Sequence, residues 1–179
     1  MRLGFHYALV LAASVMLPGP LSAHGPTPQK VDETITIAAP PDAVWNLVKD
    51  FDAMSSWNPE VASSAGRGGN EVGGERDVVL KSGGQLTDSL DEYVAKDMTY
   101  SYRLAKENID VFPVSFYSAT LQVKPGANGG SEVEWLGRFY RADTGNFPPP
   151  EHDDEAAIAA MTKFFQDGLA GLKQKEETK

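Results

Sequence analysis

The stretch from Glu132 to Ala157 restricts the fold more than any other part of the chain. Val133, Trp135 and Phe139 alternate with Glu132, Glu134 and Arg138, the two-residue period of a strand with one buried and one solvated face. That strand cannot run on through Pro148-Pro149-Pro150, because a proline has no backbone donor for a sheet ladder. Directly afterwards Glu151, Asp153, Asp154 and Glu155 put negative charge where the positive end of a helix macrodipole would lie, and Asp153 or Asp154 can cap the free amides there. A sheet is therefore expected to hand over to a C-terminal helix within this span.

The helix is expected from about Asp153 to Lys173. Ile158, Met161, Phe165, Leu169 and Leu172 form one stripe, widened by Phe164, while Lys163, Gln166, Asp167 and Lys173 fall outside it. Upstream, alternation predicts a first strand over Val31–Ile37 and a run of strands over Glu75–Lys81, Leu86–Lys96, Met98–Lys106, Val114–Lys124 and Glu132–Arg141. Turn signals at Ser82-Gly83-Gly84, Lys96-Asp97, Asn108 to Pro113 and Pro125 to Gly130 separate them, so an antiparallel meander is expected. Between the first strand and the meander, a helix opening at Pro41 carries Val44, Leu47, Val48 and Phe51. A second helical turn is expected over Asp52 to Pro59, and Ser63 to Gly74, rich in Gly and Ser, reads as a mobile loop. An apolar helix stripe and an apolar sheet face bury each other, which gives an α+β domain with the long helix lying across a curved antiparallel sheet.

With 179 residues, 41% of them hydrophobic, the chain suits a single domain, assigned to residues 31–173. Residues 1–23 differ in kind: Arg2, an apolar run from Ala8 to Leu17, a Pro18-Gly19-Pro20 break and Leu21-Ser22-Ala23 make a secretory signal peptide cleaved near Ala23, too short in its apolar run to span a bilayer. Residues 24–30 are expected as a flexible arm and 174–179 as a disordered tail. The chain has no Cys, which excludes disulfides, thiol catalysis, Cys metal sites and a lipoprotein anchor. A net charge of −9 argues against nucleic acid or an anionic membrane as partner and suits a basic protein partner.

Three strand faces are apolar and aromatic: Met98, Tyr100, Tyr102 and Leu104; Tyr117, Ala119, Leu121 and Val123; Val133, Trp135, Gly137 and Phe139. Closed by the terminal helix, they enclose either a ligand cavity or a filled core. The cavity candidates are Trp57, Arg76, Asp88, Tyr100, Tyr102, Tyr117, Trp135, Phe139, Met161 and Phe165. Asp88 shares its face with Leu86 and Leu90, and Arg76 shares its own with Val78 and Leu80. The tight turn at Ser82-Gly83 then sets the two charges opposite or diagonal, as a buried acid requires. Structural pairing and a ligand-binding carboxylate are both open readings of that pair. His24 and His152 have no zinc spacing, the acidic cluster at 151–155 is explained by capping, and no Ser-His-Asp order, phosphate loop or dinucleotide glycine pattern is present. The sequence therefore assigns no catalytic residue, metal or cofactor.

Strand, two short helices, antiparallel strands and one long C-terminal helix, in that order, resemble the helix-grip fold of the START and Bet v 1-like (SRPBCC) superfamily. Trp57-Asn58-Pro59, Gly74-Glu75-Arg76, Leu86 to Leu90, Tyr100-Ser101-Tyr102, Pro113 to Tyr117 and Val133-Glu134-Trp135 are similar to its polyketide cyclase/dehydrase-like branch. Asn58 stands where many members of that branch have His, so no catalytic role passes to it. His24 to Lys30, Lys49 to Asp52, Trp135 to Arg141 and the Pro-Pro-Pro-Glu to Asp-Glu-Ala-Ala segment resemble the MxaD family of small periplasmic proteins associated with methanol oxidation in methylotrophic bacteria. That resemblance implies a non-enzymatic accessory role toward methanol dehydrogenase or its cytochrome c, in assembly or electron transfer. Two alternatives remain: a carrier or sensor of a small apolar ligand, and a cyclase or dehydratase using Asp88, Tyr100 or Tyr102 as acid or base.

Overall fold

In the computed structural model, which describes residues 25–178, the first and last strands lie side by side. β1 (Gln29–Ile37) pairs antiparallel with β7 (Ser131–Arg141), and the remaining strands follow as a meander: β6 (Val114–Pro125), β5 (Thr99–Lys106), β4 (Gln85–Val94), β3 (Glu75–Leu80) and β2 (Val61–Arg67). All seven form one antiparallel sheet. Register shifts interrupt the ladders of β2 with β3, β4 with β5 and β6 with β7, and such bulges bend a sheet. The curved sheet grips the long helix α2 (Asp154–Glu177), while α1 (Pro41–Val48) and a 3-10 turn at Met54–Ser56 follow β1.

The β7 alternation is as expected. Ser131, Val133, Trp135, Gly137, Phe139 and Arg141 point inward. The indole of Trp135 stacks on Phe165 of α2, with centroids 4.2 Å apart and planes 9° from parallel. Gly137 makes this contact possible, because a Cβ there would lie 3.0 Å from the Phe165 ring. Asp153 caps α2, its Oδ1 accepting from the Ala156 amide at 2.9 Å, which satisfies one of the free donors at that end.

Several expectations are corrected. The segment expected as a mobile loop from Ser63 to Gly74 begins as strand β2, an edge strand paired with β3. It has almost no β-branched residue, but Gly66 lets the side chain of Asp52 approach closely and Ser64 Oγ accepts from the Ser55 amide at 2.9 Å. Tertiary contacts thus override weak strand propensity. β1 starts at Gln29 rather than Val31 and so takes two residues from the expected arm; β5 starts at Thr99, since Met98 is a left-handed turn residue with φ 48°. The second helical turn is only the three residues Met54–Ser56. α2 runs to Glu177, not Lys173, because its polar end is tied to the β1 end: Lys173 Nζ donates to Thr36 O at 3.0 Å and Glu177 Oε1 accepts from the Ala38 amide at 3.0 Å. Ile158 leaves the buried stripe, and Ala157 takes its place. The expected signal peptide and His24 lie outside the described residues.

Candidate functional site

β3 and β4 place Arg76 and Asp88 directly opposite each other. Arg76 Nε donates to Asp88 Oδ2 at 2.9 Å, and Nη1 donates to Phe51 O at 2.9 Å. The guanidinium lies between two rings, its Cζ 4.2 Å from the Phe51 centroid and 4.4 Å from that of Tyr102, a desolvated cation–π arrangement. On the other side, Tyr117 donates its hydroxyl to Asp88 Oδ1. A bulge delivers Tyr117 there: two residues of β6, Phe116 and Tyr117, stand between the pairs Ser115–Tyr140 and Ser118–Arg138. Phe116, with φ 49°, is pushed out into solvent while Tyr117 turns inward, the re-aiming that bulges produce. Nearby, Trp135 Nε1 donates to Tyr102 Oη at 3.0 Å.

The electrostatics follow from burial. Burial pushes the Asp88 carboxyl up, opposed by Arg76 and by the hydrogen bond from Tyr117. Burial would lower the Arg76 value, but the attraction of Asp88 outweighs it, so the guanidinium stays protonated. Tyr100, Tyr102 and Tyr117 all rise above the ordinary phenol value, burial being the largest cause in each. Both carboxylate oxygens of Asp88 and the hydroxyl proton of Tyr117 are thus committed to partners within the core.

All ten residues singled out from the sequence are buried, but they do not all share one space. Asp88, Tyr102, Tyr117, Met161 and Phe165 border a void of about 10 Å³, together with Met54, Val78, Leu86, Phe112 and Phe164. Arg76 and Tyr100 belong to the polar network behind it. Trp57 packs against Trp135 with centroids 5.4 Å apart, beside α2, and Trp135 and Phe139 serve as core packing on β7. Phe112 and Phe164 were not among the candidates; their rings meet at 5.6 Å and fill the space that the strand alternation left open. The void has room for roughly one water, whereas ligand pockets run to roughly 300–1,000 Å³. In this conformation the arrangement is a paired polar network inside a packed core, in which Arg76 Nη2 alone of the guanidinium nitrogens has no hydrogen-bond acceptor. Among the described residues, no group of His, Asp or Glu side chains is arranged to hold a metal ion.

Residues 28–177 match the family described as polyketide cyclase/dehydrase and lipid transport. The chain belongs to this family. Solved structures agree with the assignment. Protein XoxI from Bacillus cereus is 28% identical, with a TM-score of 0.69 over 82% of this chain and 94% of its own. An uncharacterised protein from Bacillus thuringiensis is 27% identical, with a TM-score of 0.69 over 83% of this chain and 98% of its own. The Zhui aromatase/cyclase from Streptomyces sp. R1128 shares the fold at a TM-score of 0.69 and only 15% identity, over 84% of this chain and 94% of its own. Among curated proteins none matches. The helix-grip architecture of the family is thus established for this chain, with a core that is closed over the Arg76–Asp88–Tyr117 network.

Proposed function

We propose that the protein acts through its outer surface, as an exported, non-catalytic accessory protein of methanol oxidation that contacts methanol dehydrogenase or its cytochrome c. The observation that carries this reading is the filled helix-grip core: a void of about 10 Å³ leaves no space for a polyketide or lipid substrate, and Asp88, the buried acid among the described residues, is already paired. A family member whose interior is packed has its surface left for function. The choice of partner is supported by the resemblance of Trp135 to Arg141 and of the Pro-Pro-Pro-Glu segment to the MxaD family. The net charge of −9 suits a basic partner. The test is to titrate purified protein into methanol dehydrogenase and into its cytochrome c, and to follow cytochrome-linked methanol oxidation. Binding to either, with a changed rate, is expected; neither binding nor a rate change would defeat the proposal.

A second reading, a carrier of a small apolar ligand, is favoured by the lining of the void, which is apolar except for Asp88 and the tyrosine hydroxyls. Here Phe112 and Phe164 would swing aside on loading. Native mass spectrometry of gently purified protein would then show a bound small molecule, and a bare polypeptide mass would count against it.

A further inference from the structure

Phe147 is 94% exposed, the most exposed of the large apolar side chains among the described residues. It sits in the loop between β7 and α2, and that loop is fastened at its foot. Arg141, buried at the end of β7, donates from Nε to Asp143 O at 2.7 Å, from Nη2 to Gly145 O at 2.8 Å and from Nη1 to Asp154 Oδ2 at 2.8 Å. Asp143 Oδ1 accepts from the Gly145 amide at 2.7 Å, the Asp143 amide donates to His152 O at 3.2 Å, and the His152 amide donates to Pro149 O at 2.9 Å. Pro148, Pro149 and Pro150 fix the backbone immediately after the ring. The aromatic is therefore held out in water by a loop fastened through several hydrogen bonds, outside the core formed by the described residues.

In sequence the charges that flank the loop are acidic, although Asp154 is paired with Arg141 and Asp153 caps α2. Asp143, Glu151, Asp153, Asp154 and Glu155 flank the loop, and the cation in their midst, Arg141, is buried and directed inward. An aromatic anchor with a polar rim is the usual make-up of a binding hot spot, and an ordered loop loses little conformational entropy on docking. The rim selects a partner of opposite charge and repels nucleic acid and anionic lipid.

We propose that Phe147 and this acidic rim form a docking point for a protein that offers an apolar pocket within a basic surface. The proposal rests on the accessory reading for its first probes, methanol dehydrogenase and cytochrome c, but adds the surface and the chemistry of the contact. Phe147→Ala removes the anchor without touching the core, and Val72→Ala, at another exposed apolar residue, serves as control. If either probe binds, Phe147→Ala is expected to weaken binding at least about tenfold, Val72→Ala to leave it unchanged, and Glu151→Gln with Glu155→Gln to lessen its salt dependence. Equal affinity of wild type and Phe147→Ala would overturn the docking point while leaving the accessory reading intact. If neither probe binds, that reading fails and a second arm decides: a photo-cross-linking side chain is placed at position 147 or 72, and the full chain is irradiated in an extract of its source cells. An adduct specific to position 147, with a basic protein that after purification binds wild type at least about tenfold more tightly than Phe147→Ala, supports the proposal. Absence of such an adduct, or equal binding by the two forms, overturns it.

Discussion

Arg76 and Asp88 are cross-strand partners joined at 2.9 Å, with 0% and 2% of their side chains exposed. Removing one member leaves the other charge buried without its counterion. Asp88→Leu and Arg76→Met are each expected to lower stability by about 3–5 kcal/mol. The double variant should lose far less than the sum, because two apolar side chains replace the pair. Chemical denaturation of the four proteins gives the coupling directly, and additive losses would show that the pair is not the unit of stability.

Tyr100, Tyr102 and Tyr117 have phenol values raised above the ordinary 10.0 by burial. In the unfolded chain they ionise near pH 10, whereas in the folded chain they hold their protons. Their contribution to stability is therefore complete below pH 10 and is lost as pH rises above it, at about 1.4 kcal/mol per pH unit for each tyrosine. Tyrosinate absorbance during alkaline titration should show these three ionising only with the unfolding transition. A smooth titration of every tyrosine in folded protein would contradict the buried network.

Gly168 and Gly171 are expected to reverse the usual helix rule. An alanine normally stabilises a helix interior by about 1 kcal/mol relative to glycine. At Gly168, however, a Cβ would lie 2.8 Å from both Asn58 Nδ2 and Trp135 Cζ3, and at Gly171 it would lie 2.5 Å from Pro59 Cδ and Trp57 O. Gly168→Ala and Gly171→Ala should each destabilise by about 1–3 kcal/mol through overpacking. Thermal melts that rise for either variant would disprove the close approach of the 57–59 segment.

What the sequence revealed depended on period and on turns. The alternation through Val133, Trp135 and Phe139 was legible because β7 has one face on α2 and one in water, and the Arg76–Asp88 pairing because the Ser82 to Gly84 turn fixes the register of β3 on β4. β2 was hidden, since Ala62, Ser63, Ser64, Ala65 and Gly66 have turn-like composition and become strand only by pairing with β3. The last turn of α2 was hidden too: Gln174 to Glu177 bury no stripe, and the turn is held by polar contacts, Glu177 accepting from the Ala38 amide just past β1 and Lys175 donating to Ser56 O. The filled core was beyond reach of any periodicity, because volume is decided by which rings turn inward, here Phe112 and Phe164 across the void. The Phe147 loop escaped as well; Pro148 to Pro150 signalled a stiff crossing, but the buried clamp of Arg141 joins residues that share no period.

Asp153→Ala removes the single side-chain cap at the start of α2. It is expected to reduce stability by about 1 kcal/mol, with Asp153→Asn and Asp153→Ser keeping most of the cap. Hydrogen exchange at the Ala156 amide, the donor to Asp153 Oδ1, should accelerate in the alanine variant alone. Unchanged protection at Ala156 would mean that water or a neighbour replaces the cap at no loss.

Pairing of β1 with β7, which sets Gln29 against Phe139 and Ile37 against Ser131, makes assembly wait on synthesis. The first strand to leave the ribosome has no ladder partner until the last strand has followed it, and closing so long a loop slows folding. The sheet cannot close around its helix while only its beginning exists, so the ordered domain can form only when nearly all of the chain has been made.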